Sequence, residues 1–253
     1  MIRVNDLNMN FKSEMNNELQ KVLKGVTLEV EQGDCLGILG ESGSGKSTLG
    51  RILVGLLQPS SGEYFFMGKE PYKSKKDRAF LSENMSIVFQ DYNTSVNPRF
   101  TVSEIIAESL VVLSKRTNKK INISSAVKEY LNAVGLNDSY LNRFPHQLSG
   151  GQLQRVCIAR AIAIQPQVIL LDEAISSLDA HTQVQVMELL KELQLKYNFT
   201  YIFITHDLTA ITYLCNKVAF LYQGIITELI PVKDISKTKD EYAQKLINVV
   251  IDI

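Results

Sequence analysis

Short, almost unbroken apolar runs alternate with amphipathic stretches along most of this chain, and that alternation sets the expected architecture. Cys35-Leu36-Gly37-Ile38-Leu39, Met85-Ser86-Ile87-Val88-Phe89, Val168-Ile169-Leu170-Leu171 and Tyr201-Ile202-Phe203-Ile204 have strand length and lack a polar face, the pattern of strands buried on both sides. After the first run, Leu49, Ile52, Leu53 and Leu56 recur at helical spacing and stop before Pro59 and the Ser60-Ser61-Gly62 turn. Val218 to Tyr222 and Ile225 to Glu228 flank Gln223-Gly224, a hairpin signal. Between about Asn93 and Ile164 the strand pattern vanishes and helical periodicity takes over. The expectation is an α/β fold with a mainly parallel sheet core covered on both faces, an antiparallel β portion and an inserted helical subdomain. One domain over 1–253 is expected, its core built from 1–90 and 165–230, its helical subdomain from 91–164 and its tail from 231–253. Lys73 to Lys76 and Lys115 to Lys120 read as solvated loop or helix ends.

Composition narrows the class. With 253 residues the chain can bury the core of one large α/β domain. Lys+Arg and Asp+Glu both number 27, so the net charge gives no support for an extended nucleic-acid surface. Cys35, Cys157 and Cys215 lie far apart in the sequence beside apolar residues, and are expected as buried free thiols in a reducing compartment. His146, His181 and His206 form no ligand-spaced cluster. Met1 to Asn17 contains no apolar leader core, and no segment reaches the ~20 apolar residues of a membrane span. A location on the cytoplasmic side is expected, with any membrane work done by docking.

Two stretches carry the strongest chemistry. Gly40-Glu41-Ser42-Gly43-Ser44-Gly45-Lys46-Ser47 fits the phosphate-loop pattern G-x-x-x-x-G-K-[ST], in the strand–loop–helix setting the motif requires. Backbone amides from Gly43 to Thr48, at the positive end of the following helix, are expected to cradle a β-phosphate. Lys46 would bridge the β- and γ-phosphates, and the Ser47 hydroxyl would ligate Mg²⁺. In Leu148-Ser149-Gly150-Gly151-Gln152, Ser149 and Gln152 have capping-box spacing, and Leu153, Cys157, Ala161 and Ile164 follow at helical intervals. Gly150 and Gly151 then offer bare amides at a helix N-terminus, a second anion site.

Three strand ends complete the set. Asp172 and Glu173 close an apolar strand; Asp172 suits a Mg²⁺ shell and Glu173 suits general-base or water-orienting work. His206, after Tyr201 to Ile204, occupies the place of a γ-phosphate sensor. Gln90, just past Met85 to Phe89, can reach Mg²⁺ or the attacking water through its amide.

In this order the residues resemble the ATP-binding subunits of ABC transporters over essentially the full chain. The resemblance implies that Phe11 stacks on adenine in place of the more usual Tyr, with stacking intact. It also implies that Gln90 is the Q-loop residue, that Ser176-Ser177-Leu178-Asp179 is the D-loop with Asp179 near nucleotide, and that His206 is the switch residue. It implies ATP and Mg²⁺ as ligands, hydrolysis by a dimer, and a Gly150–Gly151 amide pair that faces the γ-phosphate held by the other subunit. Asp91 to Arg99 and Phe144-Pro145-His146-Gln147 resemble the peptide/nickel importer group, and Ser95 to Arg99, Gln152 to Cys157 and the Ala after Asp172-Glu173 lean toward nickel import. Dipeptide or metal–opine import shares several of these marks. Implied partners are a sister ATPase, two transmembrane permease subunits and, indirectly, an extracytoplasmic binding protein, with no nucleic acid. An iron–sulfur cluster is not expected, because no cysteine-bearing tail follows Leu246. ABC ATPases that act on ribosomes or DNA carry two ATPase domains or a long coiled-coil insertion, and the sequence shows neither.

Overall fold

The computed structural model describes residues 1–12 and 19–251. Positions 13–18, part of the stretch scanned for a leader, and 252–253, the end of the expected tail, lie outside the described residues. In chain order come β1 (Ile2–Lys12), β2 (Leu19–Val30), β3 (Cys35–Leu39), α1 (Lys46–Leu53), β4 (Ser61–Phe66) and α2 (Lys75–Asn84). Next are β5 (Met85–Val88), α3 (Val102–Thr117), α4 (Ile123–Ala133), α5 (Gly150–Ala163), β6 (Val168–Asp172) and α6 (Ala180–Tyr197). The last elements are β7 (Thr200–Thr205), α7 (Leu208–Leu214), β8 (Lys217–Tyr222), β9 (Ile225–Pro231) and α8 (Glu241–Ile251). The chain divides into two compact units, one of 1–82 with 200–253 and the other of 83–199.

The first unit contains both kinds of β structure. β1 lies between β2 and β4, antiparallel to each. β3 pairs in parallel with β7 on one side and β8 on the other, and β9 returns antiparallel to β8. Every residue of β3 is buried, as a run without a polar face requires. The β8–β9 turn has positive φ at both Gln223 (48°) and Gly224 (85°), the geometry a tight two-residue hairpin needs. In the second unit, β5 pairs in parallel with β6, and helices occupy the chain between them.

Boundaries differ from the periodicity in two places. α1 stops at Leu53, and Leu56 is 60% exposed beyond Gly55, whose φ of +81° ends the helix. β5 stops at Val88, so Phe89 belongs to the turn before Gln90. α5 is more buried than its stripe implied. Its interior includes Val156, Ile158, Ala159 and Gln154 as well as Leu153, Cys157 and Ala161.

Candidate functional site

Parallel pairing brings motif-bearing loops to common strand ends. Leu39, the residue before Gly40, is paired with Thr205, the residue before His206. The phosphate loop and His206 therefore leave the same end of neighbouring parallel strands, where α/β sheets place their ligands. In the second unit Val88 is paired with Leu171, so Gln90 and the Asp172–Glu173 pair also leave a common end.

The phosphate loop is shaped by backbone demands and held from several directions. Gly45 caps α1 with φ of 106°, and a Cβ there would lie 2.8 Å from Leu23 Cδ2. Lys46 is 5% exposed, and its ammonium donates to the carbonyls of Gly40 (2.6 Å) and Glu41 (2.8 Å). Glu41, Ser42, Gly43 and Ser47 are exposed, while the buried Ser44 hydroxyl has no hydrogen-bond partner among the described residues. The Ser44 carbonyl accepts from Gly224 N–H at 3.0 Å, and the Gly224 carbonyl accepts from Lys24 N–H at 2.8 Å. The Tyr242 hydroxyl accepts from Glu41 N–H at 3.0 Å, and its ring stacks on Tyr222 with centroids 4.4 Å apart. An orphaned hydroxyl, an exposed serine and a lysine folded onto carbonyls suit a loop whose ligand is a phosphate chain. Phe11 stands 39% exposed on β1 opposite Gln20.

His206 is exposed between the end of β7 and the cap of α7. Asp207 is that cap, its carboxylate accepting from Thr209 N–H (2.7 Å) and Ala210 N–H (3.3 Å). The cap fixes the backbone beside His206 while leaving the imidazole on the surface.

The carboxylates of the second unit lie on a constrained turn. Glu173 has φ of 47°, a left-handed conformation that costs a non-glycine residue of order 1 kcal/mol or more and persists only where its surroundings impose it. Three glutamines hold the segment from Ala174 to Leu178. Gln154 of α5, fully buried, donates to the Ala174 carbonyl at 2.6 Å. Gln183 of α6 donates to the carbonyls of Ile175 and Leu178, each at 3.1 Å. Gln90 donates to Ser176 Oγ at 3.4 Å, and that hydroxyl donates to the Glu173 carbonyl at 3.0 Å. Gln90 and Glu173 are thus linked through a single serine.

Helix α5, the signature helix, opens within Leu148–Gln152 and carries the capping box its spacing predicts. Gln152 N–H donates to Ser149 Oγ at 3.3 Å, and Ser149 N–H donates to Gln152 Oε1 at 3.0 Å. Gly150 and Gly151 form the first turn of α5, where N–H groups lack intrahelical acceptors. Their missing side chains also allow close packing, since a Cβ on Gly151 would lie 2.4 Å from Thr182 Cγ2 and one on Gly150 2.6 Å from the Tyr92 hydroxyl. Asp179 caps α6, accepting from Thr182 N–H (3.0 Å) and Thr182 O–H (2.7 Å). Those bonds hold its carboxyl below the usual carboxylate range.

Each unit thus gathers part of the expected set. The first has Phe11, Gly40 to Thr48 and His206; the second has Gln90, Ser149 to Gln152, Asp172, Glu173 and Asp179. Gly224, Tyr242, Gln154 and Gln183 fall outside the nucleotide motifs, and they support the loops. Gly224 is announced in the sequence only as a hairpin residue, and no motif announces the contacts that Tyr242, Gln154 and Gln183 make. Among the described residues no group of three or more His, Cys, Asp and Glu is placed to hold a metal ion.

The sequence pattern of ABC transporters matches residues 23–176, from β2 through the turn after Glu173. The chain belongs to the ABC transporter family. It is 42% identical to the oligopeptide transport ATP-binding protein OppF of Bacillus subtilis, over 85% of this chain and 71% of that one. It is 39% identical to the metal-staphylopine import system ATP-binding protein CntF of Staphylococcus aureus, over 98% of both chains. The fold superposes on the dimeric, post-hydrolysis ATP-binding cassette MJ0796 bound to ADP and Pi with a TM-score of 0.81 at 28% identity, covering 92% of this chain and 99% of that one. It also matches cbiO1 of Clostridium perfringens, part of an ABC transporter complex, with a TM-score of 0.81 at 28% identity, covering all of this chain and 98% of that one. The α/β fold with a mixed sheet is therefore that of an ABC ATPase, and the chain is an ATP-binding, ATP-hydrolysing subunit.

Proposed function

We propose that this ABC ATPase drives an importer for nickel, taken up as the ion or as a metal chelate. The observation that carries the reading is the likeness to the metal-staphylopine protein along 98% of both chains, together with the nickel-leaning marks at Ser95 to Arg99, Gln152 to Cys157 and Ala174. A peptide cargo is the second reading, favoured by the 42% identity to the oligopeptide transport protein.

In the proposed reaction, amides of Gly40 to Thr48 and the Lys46 ammonium bind the phosphates of ATP, and Phe11 stacks on the adenine. Ser47, Asp172 and Gln90 would hold Mg²⁺, which would supply positive charge to offset that of the phosphates. Glu173 orients and deprotonates the attacking water, a role worth ~10²–10⁴ in rate. His206 reads the γ-phosphate. Phosphoryl transfer demands positioning more than covalent chemistry, and the strained Glu173 turn, tied to Gln90 through Ser176, supports such positioning.

The working unit in this reading is a head-to-tail dimer with a sister ATPase, in which Gly150 and Gly151 offer amides to the partner's nucleotide and Asp179 lies on the D-loop. Two permease subunits receive the motion at the cytoplasmic face of the membrane. No helix among the described residues is long and apolar enough to cross a membrane. Transmission through Asp91 to Arg99 is supported by packing on the signature helix: Arg160 donates to the Ser95 carbonyl at 2.5 Å, and Tyr92 abuts Gly150. The test is uptake of radioactive nickel and of a labelled dipeptide in cells with and without this subunit. Loss of nickel uptake alone supports the proposal; loss of dipeptide uptake alone replaces nickel with peptide.

A further inference from the structure

Cys35 and Cys215 are distant in sequence and adjacent in space. Cys35 opens β3, and Cys215 follows the last residue of α7. Their sulfurs lie 3.3 Å apart across 180 positions, and both thiols are free and buried.

The flanking backbone keeps them together. Asn216 N–H donates to the Cys35 carbonyl at 3.0 Å, and Asn216 Oδ1 accepts from Cys35 N–H at 2.7 Å. Asn216 Nδ2 also donates to Asp34 Oδ1 at 2.8 Å, and Lys217 pairs with Asp34 Oδ2 at 2.8 Å. One turn further along, α7 lies directly on β3, since a Cβ on Gly37 would come within 2.9 Å of Ile211. Asp34 and Cys35 on one side, Asn216 and Lys217 on the other, thus clamp the sulfurs in register. A disulfide's ~2.05 Å bond needs roughly an ångström of approach, within reach of small side-chain rotations.

We propose that Cys35 and Cys215 form a reversible oxidation site, converted by a hydroperoxide into an intramolecular disulfide. One thiol, ionised, attacks the peroxide oxygen and becomes a sulfenic acid as hydroxide leaves and is protonated to water. The second thiol attacks that sulfur, closes the S–S bond and releases a second water. Two thiols and hydrogen peroxide thereby give one disulfide and two waters. Burial pushes the Cys215 thiol well up, which disfavours it as the attacking thiolate. The neighbouring thiol makes the second step fast, which protects the sulfenic acid from further oxidation.

The bond has a structural consequence specific to this chain. The first unit is assembled from 1–82 and 200–253, and Cys35 and Cys215 belong to different segments. Oxidation would join these segments covalently, tying the strand that runs into the phosphate loop to the helix that follows His206. A cross-link closing so long a loop restricts the unfolded chain strongly.

The test uses the whole chain, treated with hydrogen peroxide while folded, then denatured, alkylated and mapped by mass spectrometry. Cys157, whose sulfur contacts Ser95 Oγ at 3.5 Å, is the internal control. The expected product is a linked Cys35–Cys215 peptide pair, lighter by a pair of hydrogens and restored by dithiothreitol, with Cys157 still alkylated. Thermal unfolding of the oxidised protein should move up by several degrees. The link and the shift should vanish in Cys35→Ser and Cys215→Ser and persist in Cys157→Ser. Alkylation of both thiols after peroxide, separate sulfinic acids, or a bridge to Cys157 would overturn the proposal. Mapping of the wild type and Cys157→Ser decides the matter even where a pair variant fails to fold.

Discussion

The phosphate loop and the signature helix both present backbone amides at a helix N-terminus, yet they are held in opposite ways. The signature cap is closed mainly by Ser149 and Gln152, three positions apart, with one added bond from Gln152 Nε2 to the Tyr140 hydroxyl at 3.2 Å. The phosphate loop relies on Leu23 against Gly45, Gly224 on the Ser44 carbonyl and Tyr242 on the Glu41 amide. One is a local structure that its own residues specify; the other is a local motif with tertiary scaffolding. Substitutions far from the phosphate loop in sequence should therefore disturb it, whereas the signature cap should respond mainly to its own residues.

Within this comparison the largest expected effect comes from inside the loop. Lys46→Ala removes the ammonium proposed to bind phosphate, together with its bonds to Gly40 and Glu41, and should weaken ATP binding about 10–100-fold by calorimetry. Gly224→Ala sharpens the comparison, because its φ of +85° and the 2.2 Å approach to the Val22 carbonyl forbid a side chain. The left-handed backbone alone costs about 1–2 kcal/mol, so Tm should fall by roughly 2–8 °C with ATP affinity reduced as well. Ser149→Ala should cost about 0.5–2 kcal/mol in denaturant melts and leave ATP affinity of the isolated chain unchanged. An affinity loss like that of Gly224→Ala would break the contrast. Smallest is Tyr242→Phe, which deletes one hydrogen bond worth about 0.5–1.5 kcal/mol while keeping the Tyr222 stack; it should weaken ATP binding by no more than about tenfold.

The same contrast explains what could be read in advance. The strands at Cys35, Val168 and Thr200 were legible because a buried parallel strand needs an apolar run, and the Gln223–Gly224 hairpin because its turn needs positive φ. The Ser149–Gln152 box was legible because both partners fall within one turn. Thr101 and Glu104 make an equal box at the start of α3, and their spacing carried the same signal unread. Leu56 misled because it continued the helical period past a glycine that stops the helix. Gln154, set between Leu153 and Arg155, carries no sign of burial in the sequence, yet it is fully buried with its amide on Ala174. Nothing in the sequence joins Cys35 to Cys215, since that contact exists only once β3 and β8 pair. Contacts that need the whole sheet stay hidden until the sheet is seen.

The central claim is that this chain hydrolyses ATP with Glu173 acting on the attacking water. The most direct measurement is steady-state ATP turnover and ATP affinity of the wild type beside Glu173→Gln. ATP binding should be unchanged and turnover should fall by ~10²–10⁴. Turnover in Glu173→Gln equal to that of the wild type would contradict the account and remove Glu173 from the reaction.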